Sequence, residues 1–196
     1  MRKTEEIIIN FSEKEETNVK HKSWNFVYDW LDSLIYALVL ILICFTFIFR
    51  IVGVNGTSMC PTLNNGDWLT VSAVTPQIKR GDIVVITQPN YLNEPIIKRV
   101  IAKGGDKIDI DFIEHTIKVN DLVIQEKYIA EPTSNMGEFV YPLVVPEGKL
   151  FVMGDNRNHS LDSRFKAIGF IDERYVLGKT QVRLYPFGDW KVNDAK

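Results

Sequence analysis

The chain has 196 residues, enough for one domain of ordinary size plus an anchor and too few for two full domains. Its 23 Lys and Arg stand against 25 Asp and Glu, a formal charge of −2, so it lacks the basic excess of a nucleic-acid-binding protein and no nucleic-acid partner is expected. The hydrophobic share of 45% suits a globular protein but is unevenly placed along the chain.

Residues 1–30 hold many acids and few large apolar side chains outside Ile7–Ile9 and Trp24–Trp30. They read as a solvated tail with an interfacial start near Trp24. Ser33–Phe49 follows, 17 residues without a charge. As a helix this run spans about 26 Å, slightly under the ~30 Å of a bilayer's hydrocarbon. Arg50 can snorkel, so a transmembrane helix is expected over 31–54. The run has no polar stripe, unlike a core helix, and neither the short basic start nor the small-residue end of a cleaved signal peptide. Lys20 and Lys22 before it outweigh Arg50 after it. The positive-inside rule then places 1–30 in the cytoplasm and 55–196 outside, a single pass through the cell membrane. Cys44 lies in the span and cannot pair with Cys60, so no disulfide is expected. His21, His115 and His159 show no metal-ligand spacing, and neither a metal nor a cofactor is expected.

Residues 55–196 read as short strands rich in β-branched and aromatic residues: Trp68–Val74, Ile83–Thr87, Ile96–Ala102, Lys107–Phe112, His115–Val119, Leu122–Ile124, Phe139–Val145, Lys149–Met153 and Tyr175–Tyr185. Turn signals at Asn64–Gly66, Arg80–Asp82, Gly104–Asp106 and Pro146–Gly148 separate them. No long helical period appears, and the natural class is an all-β barrel or sandwich.

Three segments could carry chemistry. In Asn55–Leu63, Ser58 sits between a glycine turn and Pro61, which suits a serine held in a shaped loop. An ordinary linker turn would look the same. In Pro95–Ala102, strand alternation groups Lys98 with Ile96 and Val100, and Arg99 with Ile97 and Ile101. If both faces are covered, Lys98 is desolvated, its neutral form is favoured, and it can accept a proton from a hydroxyl. A lysine that snorkels to water fits the pattern too. Gly154–Arg164 crowds Asp155, Arg157, Asp162 and Arg164 behind an apolar strand, which suggests charges paired near a site or, more plainly, a polar loop. His159 and Ser160 are adjacent and would point apart on a strand, so a Ser-His-Asp triad is not expected.

In combination these segments resemble the type I signal peptidases, particularly the short, single-span bacterial form. Ser58-Met59-x-Pro61-Thr62-Leu63 is similar to that family's nucleophile box, and Gly81-Asp82-Ile83-Val84 to its next box. Lys98-Arg99-Val100 with Gly104-Gly105-Asp106 is similar to its lysine box, and Gly154 to Arg164 to its last box. Four motifs in this order after one apolar run make a specific pattern, covering the chain from the run to about Tyr185.

The resemblance implies a mainly β fold, with antiparallel sheets forming a partly coiled, barrel-like catalytic domain behind one transmembrane helix. It implies a serine endopeptidase that removes signal peptides from exported pre-proteins, with Ser58 as nucleophile and Lys98 as general base and later general acid. Ser160 is expected to orient the lysine amine, and the Ser58 N–H to help bind the oxyanion. Asp155, Arg157, Asp162, Arg164 and Arg99 are expected as supporting charges. The substrate would lie as an extended strand whose small residues at −1 and −3 enter shallow apolar pockets beside Met59, Leu63 and Ile97. Signal peptides, the lipid bilayer and the secretion machinery are the partners this implies. Two departures stand out. Gly56 offers no side-chain hydroxyl two residues before the nucleophile, and Asn158 stands where many members have Asp.

Two other classes remain open on the residues alone. A non-enzymatic, membrane-anchored β domain that binds a partner would leave Ser58 and Lys98 far apart. A related Ser–Lys self-cleaving regulator would need a DNA-binding or sensor segment, and 1–30 is short and acidic.

Overall fold

A computed structural model of the chain describes residues 27–43, 46, 49–72, 77–89, 94–188 and 192. The acidic tail to residue 26, Cys44 and the end of the strand expected over 68–74 lie outside them. The chain divides into two compact units, residues 1–46 and 47–196.

In the first unit, residues 27–43 form a helix, α1, whose side chains are exposed. Among the described residues no helix is long and apolar enough to cross a membrane. The helix expected over 31–54 also does not continue to its far end. Phe49–Gly53 is instead a strand, β1. The reason lies in the second unit: Ile51 and Val52 are β-branched, and Trp68–Ser72, β2, offers them an antiparallel partner from Phe49↔Ser72 to Gly53↔Trp68.

Nine more strands follow: β3 (Ile83–Ile86), β4 (Ile96–Lys103), β5 (Lys107–Asp111), β6 (Thr116–Val119), β7 (Leu122–Val123), β8 (Leu143–Val144), β9 (Lys149–Met153), β10 (Ile171–Asp172) and β11 (Val176–Tyr185). They build a seven-stranded sheet in the order β1-β2-β11-β3-β4-β9-β10 and a four-stranded sheet in the order β7-β6-β5-β8, with every pairing antiparallel. Residues after β1 and residues of β4 line one cleft although three strands separate them in the sheet, so the large sheet is strongly curled into a half-barrel.

Alternation along β9 shows how the second unit is held. Leu150 and Val152 point into a core with Val84, Ile86, Ile96, Val100, Ile168 and Ile171. Phe151 and Met153 point the other way, into a core shared with Ile108, Ile110, Ile117 and Val119 of the small sheet. β4 and β9 are therefore covered on both faces, which explains why they read as nearly continuous apolar runs. A third core, of Val54, Met59, Leu63, Leu69, Ile83 and Val192, seats the loop after β1.

The expected strand over Phe139–Val145 shortens to Leu143–Val144, because Pro142 has no N–H to give a ladder. Phe151 lies edge-on to Tyr141 and Phe170, with ring centroids at 6.4 and 6.2 Å. Phe151→Ala empties the center of that aromatic cluster and should lower stability by about 3–5 kcal/mol, read from urea unfolding of the full chain in detergent.

Candidate active site

The loop between β1 and β2 is tethered from below and from within. Met59 and Leu63 bury themselves in the third core. The Cys60 N–H donates to the Thr57 carbonyl at 3.1 Å, and the Leu63 N–H to the Met59 carbonyl at 2.9 Å, forming a tight turn. Gly56 sits at φ 93°, where a side chain is strained, and its N–H donates to Asn65 Oδ1 at 2.9 Å. Ser58 is carried on this turn. Its carbonyl accepts the Asn156 N–H at 3.0 Å, and Asn156 Nδ2 donates to the Thr57 carbonyl at 3.1 Å. Gly154 allows this docking: a Cβ there would run into the Ser58 carbonyl and the Ser160 side chain.

Lys98 comes from the middle of β4, paired with Val84 of β3. It is 4% exposed. Its Nζ donates to Ser58 Oγ at 2.6 Å and to the Ile97 carbonyl at 3.2 Å. Burial pushes the amine down to about 8, against the attraction of Asp162 and Asp155 and with a further push from Arg164. A serine hydroxyl at hydrogen-bond reach of an amine that is neutral at mildly alkaline pH can be activated for attack on a carbonyl.

Arg99, next along the strand, goes to the opposite face. It grips Asp155 with two hydrogen bonds, Nε to Oδ1 at 2.8 Å and Nη2 to Oδ2 at 2.6 Å, and donates to the Gly81 carbonyl at 2.8 Å. Thr62 of the serine loop donates to the same Asp155 at 2.5 Å. Arg164 pairs with Asp162 at 2.8 and 2.9 Å, and Asp162 also accepts the Gly154 N–H at 3.0 Å. Arg157 pairs with Glu126 through two bonds at 2.7 and 2.6 Å and donates to the Gly154 carbonyl at 3.0 Å. Each buried charge thus has a partner, and removing one partner of such a pair typically costs about 3–5 kcal/mol. All five expected supporting charges converge here, and Glu126 joins them.

Ser160 departs from expectation. It is buried, and among the described residues its Oγ has no hydrogen-bond partner, while Lys98 donates to the Ile97 carbonyl. Its side chain lies over Gly154, where that glycine's missing Cβ leaves room. Leu63 is corrected too: it is fully buried in the third core and does not line the cleft, whereas Met59 and Ile97 do. That cleft, of about 380 Å³, reaches from Ser58 and Lys98 along Val52, Val54, Pro95, Ile96 and Leu161. Val52 falls inside the helix expected over 31–54, and nothing in the local pattern of Leu161 marks it.

Asn158 makes sense in place. Its Oδ1 accepts the Ser134 and Asn135 N–H groups at 2.9 and 3.2 Å, and its Nδ2 donates to Glu131 Oε2 at 2.9 Å and the Pro132 carbonyl at 3.1 Å. An amide can do both, and a carboxylate could not donate to Glu131. Cys60 is a free, partly exposed thiol, and its Sγ lies 3.4 Å from Asn64 Oδ1.

Comparison with known proteins identifies the family. Residues 27–185 match the family described as signal peptidase, peptidase S26. Signal peptidase I of Bacillus licheniformis is 36% identical over 93% of this chain and 100% of its own length. Signal peptidase I T of Bacillus subtilis is 32% identical over 92% of this chain and 98% of its own, and signal peptidase IB of Staphylococcus aureus 32% over 85% and 94%. The crystal structure of a signal peptidase I from Enterococcus faecalis matches 53% of this chain and 97% of its own, at 24% identity and a TM-score of 0.40. The family match spans most of the chain and the relatives are aligned nearly end to end, so this chain belongs to the type I signal peptidases of the peptidase S26 family and is a hydrolase of peptide bonds.

Proposed function

We propose that the chain is a membrane-bound serine endopeptidase that cleaves N-terminal signal peptides from exported pre-proteins through a Ser58–Lys98 dyad. The observation that carries this reading is the 2.6 Å contact between Lys98 Nζ and Ser58 Oγ on a lysine that burial deprives of water. A non-enzymatic β domain would have left those two groups apart. A self-cleaving regulator would need a sensor segment, and the family match favors the peptidase instead.

The chemistry follows from the groups in place. Neutral Lys98 takes the Ser58 proton as Oγ attacks the scissile carbonyl carbon. The resulting oxyanion is held by the Ser58 N–H and by no side-chain hydroxyl from Gly56. The tetrahedral center collapses as the C–N bond breaks, and the Lys98 ammonium protonates the departing amine of the mature protein. Water then attacks the acyl-serine with Lys98 again as base, releasing the signal peptide and restoring Ser58. Arg99, Asp155, Arg157, Asp162 and Arg164 hold the Ser58 loop and the loop 154–164 against β4, the strand that carries Lys98.

The apolar cleft beside Ser58 suits an extended segment ending in small residues. Strand side chains alternate, so those at −1 and −3 enter the cleft and the one at −2 faces away. Met59 and Ile97 border these pockets. The uncharged run ahead of β1 anchors the chain in the lipid bilayer, with the tail cytoplasmic and the β domain on the far side, where the secretion machinery delivers pre-proteins. Lys20 and Lys22 on the tail side support that orientation.

Ser58→Ala and Lys98→Ala should each lower processing of an exported precursor by at least ~1,000-fold while leaving the unfolding midpoint near that of the parent. Lys98→Arg should be as inactive, since a guanidinium stays protonated. Rapid turnover by purified Ser58→Ala would remove the mechanism. Only the neutral amine is a base, so kcat/KM should be low in mild acid and climb as pH rises through about 8. A rate that is flat from weakly acidic to alkaline pH counts against Lys98. Precursors with Phe in place of Ala at −1 should be cut at least ~5- to 150-fold more slowly, the rate equivalent of an overpacked pocket. Equal rates for Phe and Ala at −1 would sink the substrate assignment even with the dyad intact.

A further inference from the structure

Between β7 and β8 the chain runs through a long irregular segment, and part of it reaches the back of the active site. Glu126 takes the two hydrogen bonds of Arg157, and Thr133 Oγ1 accepts another from it at 3.2 Å. Two guanidinium groups lie over the Tyr128 ring. Arg99 Cζ lies 4.0 Å from its ring centroid and Arg157 Cζ 5.7 Å. Its hydroxyl donates to Glu126 Oε1 at 3.0 Å, which orients the ring. No catalytic atom touches Tyr128. What it touches is the arginine that follows Lys98 and that, through Asp155, is tied to Thr62 on the nucleophile loop.

We propose that Tyr128 is a positioning residue for the dyad: its ring face clamps the Arg99 guanidinium onto Asp155 and so keeps Lys98 and the Ser58 loop in register. The inference rests on the reading of Ser58 and Lys98 as nucleophile and base. A cation held on an aromatic face in a desolvated setting is attracted by the ring itself, and no aliphatic side chain replaces that. With an aliphatic residue at 128, Arg99 is freer to hydrate, and Asp155 is less fully neutralized. The charged groups facing Lys98 are Asp162 and Asp155, which favor the ammonium, and Arg164, which opposes it. Weaker neutralization of Asp155, and any water that enters, both stabilize the ammonium. The pH needed to free the amine therefore rises.

The test compares the full-length parent chain with Tyr128→Phe and Tyr128→Leu in detergent micelles. The probe is a precursor protein with Ala at −1 and −3, assayed from pH 6 to pH 10. In Tyr128→Leu, kcat should fall about 5- to 30-fold with KM changed by no more than about twofold, because the cleft is untouched. Its acid limb should move up by about half a pH unit or more. Tyr128→Phe keeps the ring and should recover most of the loss and the parental limb. The proposal is overturned if Tyr128→Leu keeps the parental limb, whether active or merely less stable. It is also overturned if Phe and Leu fall together, which would assign the effect to the hydroxyl. A parent enzyme with no acid limb overturns the lysine base itself, a distinct result from a parental limb that Leu fails to move.

Discussion

A lysine amine stripped of water is the constraint on which this molecule is built. Lys98 sits in the middle of an eight-residue strand with Val84 paired across from it and apolar neighbors on its own face. Burying an ammonium is expensive, so the site is stable only if the amine is readily neutral and has a hydrogen-bond partner. The Ser58 hydroxyl and the Ile97 carbonyl are those partners. Chemistry and folding therefore ask for the same thing of β4: both faces covered, by the curled sheet on one side and the small sheet on the other.

The adjacent Arg99 turns this cost to use. A guanidinium cannot escape burial by losing its proton, so it must be matched, and Asp155 matches it in the two-pronged geometry that suits a carboxylate. Asp155 in turn holds Thr62, four residues past the nucleophile. Arg157 and Arg164 repeat the pattern with Glu126 and Asp162. Such pairs are poor sources of net stability, but they are discriminating: they tolerate little displacement before a buried charge is left alone. The loop carrying Ser58 and the loop from Gly154 to Arg164 are thereby fixed to about the tolerance that catalysis demands.

Much of this was legible in the order of residues. β3, β4, β5, β6 and β9 fall where the β-branched runs lie, and Lys98 and Arg99 go to opposite faces as a period of two requires. What failed did so for physical reasons. β1 is invisible because its apolar residues follow the uncharged run with only Arg50 to interrupt them, and only the presence of β2 as a partner decides between helix and strand. Leu63 and Met59 are both buried apolar residues of one turn, and nothing local says which of them borders the cleft. The Ser160 hydroxyl depends on the packing over Gly154, which spacing does not encode. Glu126 and Tyr128 lie in a stretch with no period at all, and their partners are about 30 residues away in sequence.

Asn158 illustrates what such matching does to the ways the chain can change. Its amide both receives and gives hydrogen bonds along 131–135, and one of those it gives goes to the Glu131 carboxylate. Positions 131 and 158 are therefore not independent letters. An aspartate at 158 on its own would set two carboxylates against each other across that contact, whereas the same aspartate accompanied by a donor at 131 restores the bond. A chimera grafting only one of the two segments would inherit the mismatch.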